Sequence, residues 1–243
     1  MNDKKKRIDQ LVEILTEANY KYFVLNEPDL SDSDYNRLHK ELEELEKEYP
    51  QFKHKISPTD RIGSHIYDSF TTKKHSTKLL SLKDVFNKEE ILDFDKKMPE
   101  GVEYIGEQKY DGLAIRLTYR DGYLREAVTR GDGLEGDDVT EATKTIRSLP
   151  LKLSQPIDIT VRGEVYMSDE VFEDLNKARR KEGKDPLANS RNAAAGALKT
   201  HDTSKTAKKR LDIFVFNILE GPEFKTHVQV LKQLKKLNFP VGE

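Results

Sequence analysis

The sequence contains no cysteine, which excludes disulfide bonds and thiolate metal sites and fits a reducing compartment. It also lacks any apolar run approaching the roughly 20 residues of a transmembrane helix. The basic start, Lys4-Lys5-Lys6-Arg7, leads into an amphipathic pattern and not into the core of a signal peptide. These absences predict a soluble, cytoplasmic protein with no membrane partner.

An excess of positive charge is missing as well, because 42 Lys and Arg stand against 44 Asp and Glu, for a formal net charge of -2. Nucleic-acid-binding domains commonly show a basic excess. Binding to a phosphate backbone must therefore depend on local clusters of basic residues or on another polypeptide. One such cluster consists of Lys205, Lys208, Lys209 and Arg210. A basic cluster of this kind is, however, more often simply part of a solvated surface.

The first fifty residues predict a helical hairpin. Apolar residues recur at three- and four-residue spacing in two stripes, which are formed by Ile8, Leu11, Leu15, Ala18 and Tyr22 and by Leu38, Leu42, Leu45 and Tyr49. The first helix should stop near Asn26-Glu27-Pro28, and the second should begin with Ser31 as its cap and end at Pro50. Such a pair could be a small domain or an ordinary core-packing element.

Beyond Gly101 the apolar period changes to two, which is typical of strands. The pattern predicts a β-hairpin around Asp121-Gly122 and two later strands at 157–165 and 211–218, with helices at 87–98, 168–181 and 189–198. This is an α+β fold. We expect a helical domain at 1–53, a linker or extended wrap at 54–78, and an α+β domain at 79–243.

Lys109 is the candidate nucleophile, in the string Glu107-Gln108-Lys109-Tyr110-Asp111-Gly112. A strand here would place Glu107, Lys109 and Asp111 on one face. A lysine amine must lose its proton before it attacks phosphorus, and carboxylates favour the protonated form. A divalent cation or a nearby cationic side chain must therefore offset them. By itself, such a string is usually a solvated strand lysine.

Two later strings strengthen the assignment. Arg130 ends the returning strand of the predicted hairpin and is followed by Gly131-Asp132-Gly133, a loop that can bring backbone amides close to a ribose or phosphate. An arginine at this place can bind oxyanions with two parallel hydrogen bonds. In the third strand, Arg162 and Glu164 lie on the face opposite its apolar residues.

These strings, in this order, resemble the N-terminal part of bacterial-type NAD-dependent DNA ligases, from about Tyr20 nearly to the end. The strings that agree are Tyr22, Asp32 and Tyr35; Ser57-Pro58-Thr59; Leu80-Ser81-Leu82; Glu107 to Gly112; Thr129 to Gly133; Val161 to Glu164; and Ser190 to Gly196. The resemblance implies a helical domain that binds the nicotinamide half of NAD. It implies that an incomplete, ATP-grasp-like nucleotidyltransferase domain follows, with antiparallel sheets and helices.

The resemblance also implies the chemistry. Lys109 would attack the α-phosphate of NAD, keep AMP as a phosphoramidate and pass it to the 5′-phosphate of a nick in double-stranded DNA, with Mg²⁺ as cofactor. It assigns roles as follows: Asp111 positions the lysine and the ribose, Glu107 reads the adenine amine, Arg130 and Glu164 hold the ribose, Ser81 and Leu82 line the adenine pocket, and Arg191 and Lys199 contact DNA. Lys199 stands where the family usually has arginine, which weakens a bidentate phosphate contact.

The helical domain departs from the family pattern at two positions. Tyr22, Asp32 and Tyr35 agree with it, but Phe23 replaces the usual histidine and Asn36 the usual aspartate. A polar contact and a charge near the nicotinamide mononucleotide are therefore lost, which predicts weaker or altered use of NAD. Tyr22 and Tyr35 could also be ordinary helix-packing aromatics.

Two lysine motifs that follow in the family do not occur in this sequence, and their cations stabilise the phosphate oxygens in the transition state. We therefore expect the chain to adenylylate poorly alone and to need a second polypeptide with the remaining ligase motifs. A truncated or degenerate product is the plain alternative. The other functional readings are an ATP-dependent nucleotidyltransferase and a non-catalytic nucleotide- or partner-binding remnant.

Overall fold

A computed structural model describes residues 2–22, 27, 29–55, 57–61, 69–82 and 84–242. The helices are α1 (Asn2–Tyr20), α2 (Asp32–Glu48), α3 (Lys88–Asp95), α4 (Thr140–Thr143), α5 (Asp169–Lys181), α6 (Ser190–Leu198), α7 (Thr203–Ala207) and α8 (His227–Lys236). The strands are β1 (Thr72–Lys74), β2 (Leu113–Arg120), β3 (Tyr123–Thr129), β4 (Glu135–Asp137), β5 (Ile159–Tyr166) and β6 (Asp212–Glu220). The predicted α+β class is confirmed. No helix in the described ranges is long and apolar enough to cross a membrane.

The N-terminal helical hairpin is present as predicted. Its two helices bury Ile8, Leu11, Leu15 and Leu42 completely, so most of the two apolar stripes forms one small core. Tyr22, predicted to continue the first stripe, is 49% exposed and not part of this core. Ser31 caps α2, because its hydroxyl accepts a hydrogen bond from the backbone N–H of Asp34. An ion pair between Arg7 and Glu41 closes the edge of the hairpin at 2.6 Å.

The segment after α2 is more ordered than the predicted linker or wrap suggests. It contains two short 3₁₀ helices, Pro50–Phe52 and Pro58–Arg61, and then strand β1. β1 pairs antiparallel with β4, and Lys73 lies opposite Gly136. Three-residue strands are too short to show a hydrophobic period, which is why the sequence did not predict them.

The main sheet has four antiparallel strands in the order β3-β2-β5-β6. Its apolar face contains Ile115, Leu117, Val161 and Val165, and helices α4, α5, α6 and α8 pack against it to form the main core. The strand period of two puts the alternate residues on the opposite face. Those residues include Arg116, Thr118, Arg162 and Glu164, so this second face is polar.

Candidate active site

Three of the residues singled out by sequence, Lys109, Arg130 and Glu164, lie at one end of the polar sheet face. Leu113 begins β2 and pairs with Val165 near the end of β5, and Tyr166 pairs with Asp212 at the start of β6. Thr129 ends β3 at the same edge, opposite Ile115. Lys109 comes just before β2 and Arg130 just after β3, so the topology brings both to this end of the sheet.

The expected strand through Lys109 is wrong. Residues 102–111 form no strand, and β2 begins only at Leu113. Glu107 and Asp111 therefore do not share a strand face, and their partners differ. Glu107 Oε2 accepts a hydrogen bond from His227 Nε2 at 2.6 Å, whereas Asp111 Oδ1 lies 3.4 Å from Arg191 Nη1. Lys109 itself is exposed.

Glu164 lies among the charged groups at this end of the sheet. Burial raises the pKa of its carboxyl, while a hydrogen bond from the backbone N–H of Gly112 and the charges of Arg162, Arg191 and Lys109 act in the opposite direction. Gly112 is the last residue of the lysine string, so its bond to Glu164 ties that string to β5. Of the two carboxylates beside Lys109 in the sequence, Asp111 has a cationic neighbour, Arg191, at 3.4 Å.

Arg162 is the residue of this face whose bonding is least complete. Its guanidinium lies 5.4 Å above the ring of Phe216, and its buried Nε has no hydrogen-bond partner among the described residues. Burial lowers the pKa of Arg162, with Glu164 raising it and Arg130 adding to the lowering. A buried donor without an acceptor is costly, and an anionic ligand could supply the acceptor.

The loop after Arg130 is fixed from two sides. Gly131 has φ +55, and a Cβ on it would lie 1.9 Å from the carbonyl oxygen of Glu135, so only glycine fits. His75 Nδ1 accepts a hydrogen bond from Arg116 Nε at 3.1 Å. The proton of the imidazole is therefore on Nε2, which donates to the carbonyl oxygen of Arg130, also at 3.1 Å.

Aromatic rings hold the chain next to Lys109. The ring of Tyr110 stacks on Phe214 with centroids 4.5 Å apart, and it contacts Tyr166 at 4.9 Å. Offset stacking of this kind adds about 0.5–1.5 kcal/mol beyond the buried area. The stack fixes the direction of the backbone on the C-terminal side of the lysine.

The structure does not bring Ser81 and Leu82 into this cluster through hydrogen bonds. Both are exposed, Leu82 by 65%, and neither makes a hydrogen bond to another described residue. The chain before them runs beside the loop after Arg130, because Leu79 N–H donates to the carbonyl of Gly133 at 2.9 Å. Their role as lining of an adenine pocket stays a prediction.

A second feature lies between the helical hairpin and the sheet domain. Tyr22, Tyr35 and Asn36 line a cleft of about 750 Å³, and Ser168 and Asp212 are on its other wall. Asp212 pairs across the strands with Tyr166, which contacts Tyr110 of the lysine string. Asp32 is the first residue of α2, but its side chain is outside the described part of the chain, as is the whole of Phe23.

The two residues expected to contact DNA are paired with carboxylates. Arg191, in α6, faces Asp111, and Lys199, at the end of α6, lies 2.6 Å from Asp137. Both lysine and arginine are partly exposed, so these pairs are weak and exchangeable. Within the described ranges, no group of three or more His, Asp or Glu side chains is arranged to hold a metal ion.

The sequence places Arg162 beside Glu164 on one strand face but assigns it no role. It does not indicate two other residues of the site, Phe214 and His227. Phe214 gives a weaker signal as an aromatic residue at the start of a predicted strand. His227 gives none, since it lies 120 residues from its partner Glu107.

Comparison with known proteins agrees with this arrangement. Residues 67–243 match the family described as NAD-dependent DNA ligase adenylation domain, and residues 1–63 match the one described as DNA ligase-like, N-terminal NAD+-binding domain. A DNA ligase of Caldicellulosiruptor bescii is 46% identical over 98% of this chain, and one of Thermotoga maritima is 43% identical over the same share. The chain spans 36% of the length of both relatives.

Proposed function

The chain belongs to the NAD-dependent DNA ligase family, and we propose that it is the lysine-bearing adenylylation part of such a ligase. The observation that supports this most directly is the cluster of Lys109, Asp111, Arg191, Arg162 and Glu164 at one end of the polar sheet face. It combines a nucleophile with cations that can face phosphate and a carboxylate that can accept from a ribose.

The proposed first step is attack of the neutral Lys109 amine on the α-phosphorus of NAD. A P–N bond forms, the P–O bond to nicotinamide mononucleotide breaks, and the amine releases a proton to solvent. In the second step a 5′-phosphate oxygen of nicked DNA attacks the same phosphorus, the P–N bond breaks and the amine takes up a proton. Positioning and electrostatics account for most of such phosphoryl transfer.

The neighbours of Lys109 have separable tasks in this proposal. Arg191 offsets the charge of Asp111, 3.4 Å away. Glu164 and Arg130 hold the ribose, and Glu107 accepts from the adenine amine. Asp111 positions the lysine and the ribose.

Mg²⁺ fits the site as an ion that arrives with the substrate. Mg²⁺ commonly uses one or two carboxylates together with substrate phosphates and water, and the described residues offer no larger group of ligands. Asp111 is the exposed carboxylate next to the lysine that could contact it. The ion would neutralise phosphate charge.

Nicked double-stranded DNA is the proposed acceptor. Because the formal net charge is -2, long-range attraction is weak and local cations must make the contacts. DNA phosphates would replace Asp111 and Asp137 as partners of Arg191 and Lys199. Such contacts should be strongly salt-dependent.

We further propose a second polypeptide that bears the remaining ligase motifs. Ten of the fourteen exposed large hydrophobic residues in the described chain lie in residues 80–105, here called the apolar segment. Phe86 is 86% exposed and Phe94 50%, and apolar patches of this kind mark interaction surfaces. The segment holds seven acidic residues against four basic ones, so its formal charge is -3, which suits a partner with lysines.

The experiment uses the full chain with Mg²⁺ and either NAD or ATP, alone and together with the remaining part of the Caldicellulosiruptor bescii ligase as a separate polypeptide. Intact mass spectrometry then reports AMP on the protein. We expect labelling from NAD with the second polypeptide present and little without it. ATP-only labelling would favour an ATP-dependent enzyme, and no label at all would favour a non-catalytic remnant.

The matched variants are Lys109→Ala and Lys181→Ala. Lys181 is an exposed lysine at the end of α5, so its replacement should leave labelling unchanged. Lys109→Ala should abolish it. Persistence of the label in Lys109→Ala would refute the assignment of the nucleophile.

A further inference from the structure

The segment 103–111, which carries Lys109, is attached to the body of the protein by its side chains. Residues 103–111 form no strand, and within the described chain their backbone makes no hydrogen bond to another segment. The contacts that hold them to the sheet domain are Glu107 to His227, the stack of Tyr110, and Asp111 to Arg191. Of these three contacts, the bond between Glu107 and His227 is the one on the N-terminal side of Lys109.

His227 belongs to a well-anchored element. It is the first residue of α8, whose N-terminus is closed by a capping box between Thr226 and Gln229. Leu234 and Leu237 of this region are fully buried in the main core. The backbone that carries the imidazole is therefore anchored, whereas Glu107 lies in a segment whose backbone makes no hydrogen bond to another segment of the described chain.

The bond uses one oxygen of the Glu107 carboxylate and leaves the other available. Oε2 accepts from His227 Nε2 at 2.6 Å, whereas Oε1 has no hydrogen-bond partner among the described residues. An ionised carboxylate only accepts hydrogen bonds. Oε1 can therefore accept from an amine, but a carbonyl oxygen at the same place would meet it as a second acceptor.

We propose that His227 is a positioning residue that sets base selectivity: it holds Glu107 so that Oε1 accepts from the exocyclic amine of adenine and rejects the 6-oxo group of hypoxanthine. This rests on the proposed function for the role of Glu107. A site that requires a hydrogen-bond donor discriminates against an analogue that lacks it, because its acceptor then faces a second acceptor.

The test is calorimetric titration of the full chain with AMP and with inosine monophosphate, in which a 6-oxo group replaces the 6-amine and N1 carries a proton. The wild type should prefer AMP, and His227→Ala should reduce the preference by about tenfold, the value of one charge-assisted hydrogen bond. His227→Gln should restore much of it, because the glutamine amide can donate to Glu107. Glu107→Gln should also lose preference, because an amide can accept or donate.

The matched control is His54→Ala. His54 also pairs with a carboxylate, Asp9, at 2.7 Å, but on the helical hairpin, so the preference for AMP should be unchanged. The inference is overturned if the wild type shows no preference, if His227→Ala keeps it, or if affinity for both nucleotides falls equally.

Labelling of Lys109 separates this result from the proposed function. A protein that is labelled from NAD but whose preference does not depend on His227 keeps the function and loses the inference. If the preference depends on His227 but Lys109 is never labelled, the inference is kept and the proposed function is lost.

Discussion

Replacing Gly112 with alanine tests whether the lysine string is held against β5 as the structure describes. A Cβ at this position would lie 2.1 Å from the carbonyl oxygen of Val165 and 2.9 Å from its carbonyl carbon. Both atoms belong to the backbone of a central strand and cannot move aside like a flexible side chain. The backbone must therefore shift by about 1 Å to restore ordinary contact distances.

The expected cost has two parts. Overpacking of this kind costs about 1–3 kcal/mol, and the shift also weakens the hydrogen bond from the backbone N–H of Gly112 to the carboxylate of Glu164. Losing a bond to a charged, partly buried group costs about 1–3 kcal/mol. Together they predict a loss of about 2–6 kcal/mol in the free energy of unfolding.

Urea denaturation followed by circular dichroism measures the loss, and Gly106→Ala is the control. Gly106 belongs to the same segment, but a Cβ there meets nothing within 4 Å, so its replacement should change stability by less than about 0.5 kcal/mol. Lys109 labelling should also fall in Gly112→Ala alone, since a displacement of about 1 Å can cost roughly 100-fold in rate. Equal destabilisation by both variants would refute the close approach of Gly112 to β5.

Two further predictions concern the sheet domain. Burial, with smaller effects of Asp212 and Tyr110, raises the pKa of Tyr166 from 10.0 to about 12. The phenol of the unfolded chain therefore ionises first as the pH rises, so the stability of the protein should fall between pH 10 and pH 12. Thermal unfolding across that range should show a smaller fall in Tyr166→Phe. An equal fall in both proteins would contradict this. Gly196→Ala, in α6 with nothing within 4 Å of the added Cβ, should stabilise the protein by about 0.5–1 kcal/mol in urea denaturation. A loss of stability in Gly196→Ala would contradict this, because it would mean that other groups pack closely against this position of α6.

Local chemistry was predictable because it depends on neighbours in the chain. Ser31, Asn87, Ser168 and Asn189 all cap helices in the structure, as short polar side chains before apolar stripes predict. The β2–β3 hairpin also follows from alternation on both sides of Asp121-Gly122. These features require only the period of the pattern and the chemistry of turns and caps.

Pairings over long distances in the sequence were not predictable in this way. The path of residues 102–111 looked like a strand, but no neighbouring strand of the described chain pairs with it. The β1–β4 pair joins Thr72 to Asp137 through strands of three residues. A period of two cannot report whether a partner strand exists, because strand pairing is a tertiary property.

The amino-acid sequence alone determined which groups are available: a lysine between two carboxylates, an arginine before a glycine loop, and an arginine and a glutamate on one strand face. Only the tertiary structure decided how they are paired, with Glu107 bound to His227, Asp111 facing Arg191, and Glu164 accepting from Gly112. The physical reason is that spacing along the chain fixes the direction of a side chain, whereas its partner is fixed by the packing of elements that can be more than a hundred residues apart.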